Sequence, residues 1–138
     1  SVNAKLKKMP VIKGFIAGDT ASKAMDEFYD SKTKANTDYT DAKFKYSETK
    51  MTSKQQKELE YLKSINSIYN KAYNDIKDID DQMDDISKSA RKDEYKKTML
   101  DKLKKQKDKI AEETKKEADK IKAKNTLITQ AELKEKLK

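Results

Sequence analysis

The chain has 138 residues, with 33 Lys or Arg against 25 Asp or Glu for a net charge of +8, no His, no Cys, two Gly and one Pro. With 34% apolar and 42% charged residues, the interior must be narrow, closer to a stripe than to a globular core. Those counts exclude a cysteine nucleophile, an imidazole base, an ordinary zinc site and a disulfide framework, and two glycines cannot supply the turns of a β-sandwich or a phosphate-cradling loop.

Pro10, Gly14 and Gly18 all fall in the first 18 residues. This stretch reads as an apolar strap, Met9-Pro10-Val11-Ile12-Lys13-Gly14-Phe15-Ile16-Ala17-Gly18, with Pro10, Val11, Ile12, Phe15 and Ile16 as its contact residues. It is far shorter than the roughly 20 residues that span a bilayer, and Pro and Gly break it too early for the apolar part of a signal peptide. Two roles are open to it: packing over one end of the helices that follow, or docking onto other parts of a larger protein. Membrane contact is not expected.

Everything after Gly18 is free of Gly and Pro, as long helices require, because those residues cost about 1 and 3 kcal/mol in a helix interior. The first helix is expected over 19–50, capped by Asp19 or Thr20. Its apolar stripe is Ala21, Met25, Phe28, Lys32, Ala35, Tyr39, Ala42 and Tyr46, with steps of four and three. Thr33, Asn36, Thr37 and Thr40 predict a kink or interruption midway. A second helix is expected over 52–89. Thr52 with Gln55, or Ser53 with Gln56, has capping-box spacing. Its seam, Leu62, Ile65, Tyr69, Ala72, Ile76, Ile79, Met83 and Ile86, continues to Ala90 in strict four–three alternation, the period that keeps one face against a partner helix.

The third helix is expected over 93–124, with Tyr95, Met99, Leu100, Leu103, Ile110, Ala111, Ala118 and Ile121 apolar and with Lys107 and Thr114 interrupting the seam. Asn125-Thr126 predicts a break. Thr129 and Glu132 then form a second capping box, so 129–138 reads as the start of a further helix. That last stretch, together with a Ser at the first position, leads to the expectation that these residues belong to a longer polypeptide.

Charge divides between the two long helices. From Met51 to Ile86 five Lys face eight acids, a net of −3; from Ser87 to Lys124 fifteen basic residues face eight acids, a net of +7. An antiparallel hairpin would bring Asp75, Asp78, Asp80, Asp81, Asp84 and Asp85 near Lys96, Lys97, Lys102 and Lys104. The expected fold is therefore all-α: an elongated antiparallel helical hairpin with an additional packed helix, a coiled-coil-like three-helix arrangement.

Chemistry has little foothold in this pattern. The acids of 75–85 lack the Gly and alternating ligands of a calcium loop, and the helical period runs straight through them. No acid or lysine is marked as buried; Lys32, on the first seam, comes nearest. Neither a catalytic site nor a cofactor or metal is expected. Lys102, Lys105, Lys109, Lys116 and Lys120 of the third helix are candidate phosphate contacts for weak, sequence-blind DNA binding or for an anionic membrane surface. A single Arg, Arg91, gives little support to base readout. Self-association through the Leu62–Ala90 seam is a further alternative.

The strap residues Pro10, Val11, Ile12, Phe15 and Gly18, followed by Phe28-Tyr29 and a long helical hairpin, resemble the large polyvalent protein-associated helical domain of phage and conjugative-element proteins. The resemblance implies a non-enzymatic structural or interaction module in a virion-internal or DNA-ejection protein. It would reside in the virion interior or host cytoplasm, with the remainder of its own polypeptide or other virion and assembly proteins as partners. The family defines no functional residue to carry over.

Overall fold

A computed structural model describes residues 22–47 and 50–137, and these form three α-helices: α1 (Lys23–Tyr46), α2 (Ser53–Lys88) and α3 (Asp93–Leu137). No strand occurs among the described residues. The protein is all-α, with α1 packed along a long α2–α3 hairpin. With 24, 36 and 45 residues, the helices extend about 36, 54 and 68 Å at 1.5 Å per residue.

α1 begins at a serine cap. The Ser22 Oγ accepts from the Met25 N–H at 3.1 Å and donates to Asp108 Oδ1 at 2.5 Å, so one hydroxyl both closes the helix end and ties it to α3. Asp19 and Thr20, the caps read from the sequence, lie outside the described residues, as does the strap with Pro10, Val11, Ile12, Phe15 and Ile16. The expected interruption near Thr33–Thr40 is not found, and α1 runs continuously to Tyr46. Tertiary burial of Met25, Phe28, Ala35, Ala42 and Tyr46 outweighs the weak propensity of the threonines between them. The helix closes at Tyr46, short of residue 50, with both the amide and the hydroxyl of Ser47 on the Phe44 carbonyl.

α2 opens on the Thr52–Gln55 capping box: Gln55 N–H donates to Thr52 Oγ1 at 3.1 Å, and Thr52 N–H donates to Gln55 Oε1 at 3.0 Å. Along its seam Ile65, Tyr69, Ala72, Ile76, Ile79 and Met83 are buried, Leu62 and Ile86 are half-buried, and Ala90 is exposed beyond the helix end. The main core joins Met25, Phe28 and Ala35 of α1 to Ile65, Tyr69, Ala72 and Ile76 of α2 and to Ala111 and Ala118 of α3. Phe28 tilts against Tyr69 at 5.5 Å between ring centres, and Tyr29 stands edge-on to Tyr73 at 6.4 Å.

The expected break at Asn125-Thr126 is absent, and no new helix opens at Thr129, because α3 is continuous to Leu137. The residues read as helix-stopping bond backward instead. Thr126 Oγ1 donates to the Lys122 carbonyl and Thr129 Oγ1 to the Asn125 carbonyl, each at 3.0 Å, which accommodates a threonine inside a helix. Glu132, expected to close a cap with Thr129, instead meets Lys57 of α2 at 3.2 Å.

Candidate interaction site

The seam between α2 and α3 is interrupted by charge at one level. Lys107 Nζ lies 2.6 Å from Asp80 Oδ1, and the two side chains are only 10% and 9% exposed. Helical spacing places Lys107 four residues after Leu103 and four before Ala111, inside the apolar stripe of α3. Asp80 sits beside Ile79 on the inner side of α2. Burial pushes the Asp80 carboxyl above its ordinary value, and the neighbouring Lys107 offsets only part of that rise. The same neighbourhood raises the Tyr29 phenol, chiefly through burial and then through the negative charge of Asp80. The Lys104 ammonium is lowered by partial burial and by the positive charge of Lys107.

Two expectations are corrected here. The acids of 75–85 are not all on exposed faces, since Asp80 is buried; and the buried lysine is Lys107, whereas Lys32 is half-buried with its Nζ 4.5 Å from the centre of the Tyr73 ring. Three charged contacts are defined at this end of the hairpin. Asp80 meets Lys107, Asp84 pairs with Lys88 of its own helix at 2.9 Å, and Lys96 donates to the Ser87 carbonyl at 3.1 Å.

The outward side of α3 carries the other charged feature. Lys102, Lys105, Lys109, Lys116 and Lys120 are all exposed. At 100° per residue they share the side opposite Lys107, Ala111, Thr114 and Ala118, over about 27 Å of helix. α1 approaches α3 on a different flank, through Ser22–Asp108 and Glu27–Lys115, the latter at 3.6 Å, and leaves the lysine side uncovered by the described helices. Glu112 and Glu113 interleave with these lysines, and Glu113 lies 4.0 Å from Lys109. Exposed pairs of this kind contribute about 0–1 kcal/mol.

Clefts between the helices are shallow. One of about 240 Å³ is lined by Ala24, Phe28, Ser31, Tyr69, Ala111 and Lys115. Among the described residues no group of three or more His, Cys, Asp or Glu could hold a metal ion, and no helix is long and apolar enough to cross a membrane. No protein-family model, curated protein or solved structure matches this chain.

Proposed function

We propose that this chain is a non-enzymatic structural and interaction module, a stiff three-helix spacer within a larger phage or mobile-element assembly. What carries the reading is how the inward side chains are used. The apolar seams and the Asp80–Lys107 pair serve helix-to-helix packing, while α3 runs 45 residues without a break. A rod stiffened along its length by a second helix transmits position between its ends and presents long exposed faces to neighbours. Cross-linking and mass spectrometry on the intact native complex tests this. Fixed cross-links from lysines of α3 to other assembly proteins, at constant stoichiometry, are expected. A chain recovered only as a free monomer sinks the proposal.

The lysine side of α3 favours a second reading, non-specific contact with DNA or an anionic membrane surface. Five lysines on one side neutralise at most five phosphates, so binding to duplex DNA would weaken with salt at a log–log slope no steeper than about −4.5. Between Lys102 and Lys120 that side shows no apolar anchor of the sort an interfacial membrane helix inserts, which favours DNA over lipid. Titrations against duplex DNA and anionic vesicles from low to physiological salt separate the two, and silence toward both at low salt removes this reading.

A further inference from the structure

Two rows of opposite charge on the outer faces of the hairpin match each other in spacing and in level. Asp78, Asp81 and Asp85 of α2 are exposed, as are Lys102, Lys105 and Lys109 of α3. Each row steps by three and then four residues, so each forms one stripe about 10 Å long on its own helix. At 100° per residue the aspartates stand opposite Ile76 and Met83, and the lysines stand opposite Lys107 and Ala111. The Asp80–Lys107 pair sets the level at which the antiparallel helices pass. Asp78 and Lys109 lie two residues from that level in one direction along the rod, and Asp85 and Lys102 lie five residues from it in the other. Asp81 stands within one residue of the level of Lys105.

The two rows cannot serve each other within one chain, because both point away from the core that α2 and α3 share. None of Asp78, Asp81, Asp85, Lys102 and Lys105 forms an ion pair with another described residue, and Lys109 reaches only Glu113, at 4.0 Å. A second copy supplies what each row lacks. Laid alongside in the same orientation with no shift along the rod, its α2 aspartates meet the α3 lysines of the first. Asp78 then faces Lys109, Asp81 faces Lys105 and Asp85 faces Lys102. The match stops beyond this stretch, since exposed Lys71 of α2 stands level with exposed Lys116 of α3. Contact is thereby confined to the hairpin end and its register is fixed.

We propose that Lys102, Lys105 and Lys109 bind the Asp78, Asp81 and Asp85 face of a second copy of this chain, joining hairpin ends side by side. The contact is heterologous. Each added copy keeps one row free, so association runs on to a ring or an open array and does not stop at a symmetric pair. The proposal rests on the spacer reading and goes beyond it by naming the neighbour as the chain itself. Three exposed pairs hold weakly and the net charge of +8 opposes approach, so low salt and high protein concentration are required.

Sedimentation equilibrium on the full chain, freed of nucleic acid, tests this. At about 0.01 M salt, where charges act over about 30 Å, the average mass should rise with concentration; at about 1 M, where they act over about 3 Å, it should return to the monomer. Lys102→Glu/Lys105→Glu/Lys109→Glu should abolish the rise, and so should Asp78→Lys/Asp81→Lys/Asp85→Lys. An equimolar mixture of the two should restore it, because each chain then offers the row that the other lacks. Lys116→Glu/Lys120→Glu/Lys124→Glu has the same net charge as the first variant, +2 (8 − 6), and should still associate. A native chain that stays monomeric at low salt overturns the proposal. So does a Lys116/Lys120/Lys124 control that loses association as fully as the first variant.

A second measurement needs no charge reversal. The protein lacks cysteine, so an Asp81→Cys chain and a Lys105→Cys chain can be mixed and oxidised at low salt. Disulfides joining the two different chains should exceed those joining like chains by about fivefold, since like rows repel; the ratio of random pairing refutes the contact. Either failure leaves cross-links to other assembly proteins untouched, so this proposal and the spacer reading fail separately.

Discussion

Replacing Lys107 with Met strands a carboxylate, and the structure sets a ceiling on the cost. The substitution removes the ammonium 2.6 Å from Asp80 Oδ1 and leaves a thioether of similar length in its place. Asp80 then either stays ionised in an apolar seam or takes up a proton. Protonating a carboxyl of ordinary value 3.8 at pH 7 spans 3.2 pH units (7 − 3.8), about 4.4 kcal/mol at 1.36 kcal/mol per unit. The charge can cost no more than that. Because burial already raises Asp80 with Lys107 present, part of the penalty is carried by the native chain, and a loss of about 2–4 kcal/mol is expected at pH 7.

The pH dependence fixes the sign. A carboxyl raised in the folded state holds its proton more tightly there than in the unfolded chain. Stability is therefore greatest below the unfolded value and falls as pH rises toward the folded one. In Lys107→Met that window widens upward. At pH 5 the ceiling drops to about 1.6 kcal/mol (1.2 units), so the penalty against the native chain should shrink by half or more between pH 7 and pH 5. Urea unfolding of both chains at the two pH values reads this directly. The double variant Asp80→Leu/Lys107→Met removes both desolvated ions and should lie within about 1.5 kcal/mol of the native chain, or above it. A single-variant penalty that is equal at pH 5 and pH 7, or a double variant as unstable as the single, would refute the account of a buried pair whose desolvation outweighs its attraction.

The remaining expectations concern packing and helix ends. Ile76, 1% exposed, should cost about 2–5 kcal/mol on truncation to Ala, whereas Leu127, 66% exposed, should change urea stability by less than about 0.5 kcal/mol. Thr52→Ala removes the hydroxyl of the α2 capping box and should lower stability by about 1 kcal/mol in the same assay. Thr129→Ala separates a helix interior from a helix start. In a continuous α3, far-ultraviolet circular dichroism should show equal or greater helicity, with a gain of a few tenths of a kcal/mol; a fall in helical signal would instead indicate a lost cap.

Period made the hairpin legible and capping made it ambiguous. The α2 seam could be read because nine apolar positions repeat without an exception, and Thr52 because its Gln55 partner stands three residues on, immediately before the periodic stretch. The same Ser/Thr-x-x-Glu/Gln rule misread Thr129. A threonine hydroxyl can satisfy an N-terminal amide or the carbonyl four residues back, and local sequence does not distinguish these when no Gly or Pro stops the helix. In the structure Thr129 takes the second option inside a continuous α3, and Glu132 meets Lys57 of α2 in an exposed pair that contributes only about 0–1 kcal/mol. The middle of α1 failed in the same direction, since propensity scores its threonines but not the burial of Ala35 among them and of Ala42 just after them.

A hydrophobic-period search records Lys107 only as a gap in the seam, and so marks neither it nor Asp80 as buried. The gap was itself the signal. Leu103, Lys107 and Ala111 keep the helical spacing, so the lysine had to point where its neighbours point. Its value to the fold lies in register more than in strength. An apolar seam with a seven-residue repeat packs nearly as well after a slip of one heptad, and alanines such as Ala72, Ala111 and Ala118 do little to oppose one. The ion pair does oppose it. A slip in one direction sets Asp80 opposite Leu100 and Lys107 opposite Tyr73; in the other, Asp80 meets Thr114 and Lys107 meets Ser87. Either slip buries a charge without its partner, at about 3–5 kcal/mol, while the native register satisfies both. One pair that is no better than an apolar contact in its own register thereby makes the neighbouring registers costly. For the proposed spacer role fixed register is the property that matters, so loss of the pair should loosen end-to-end spacing even in the double apolar variant that keeps its stability.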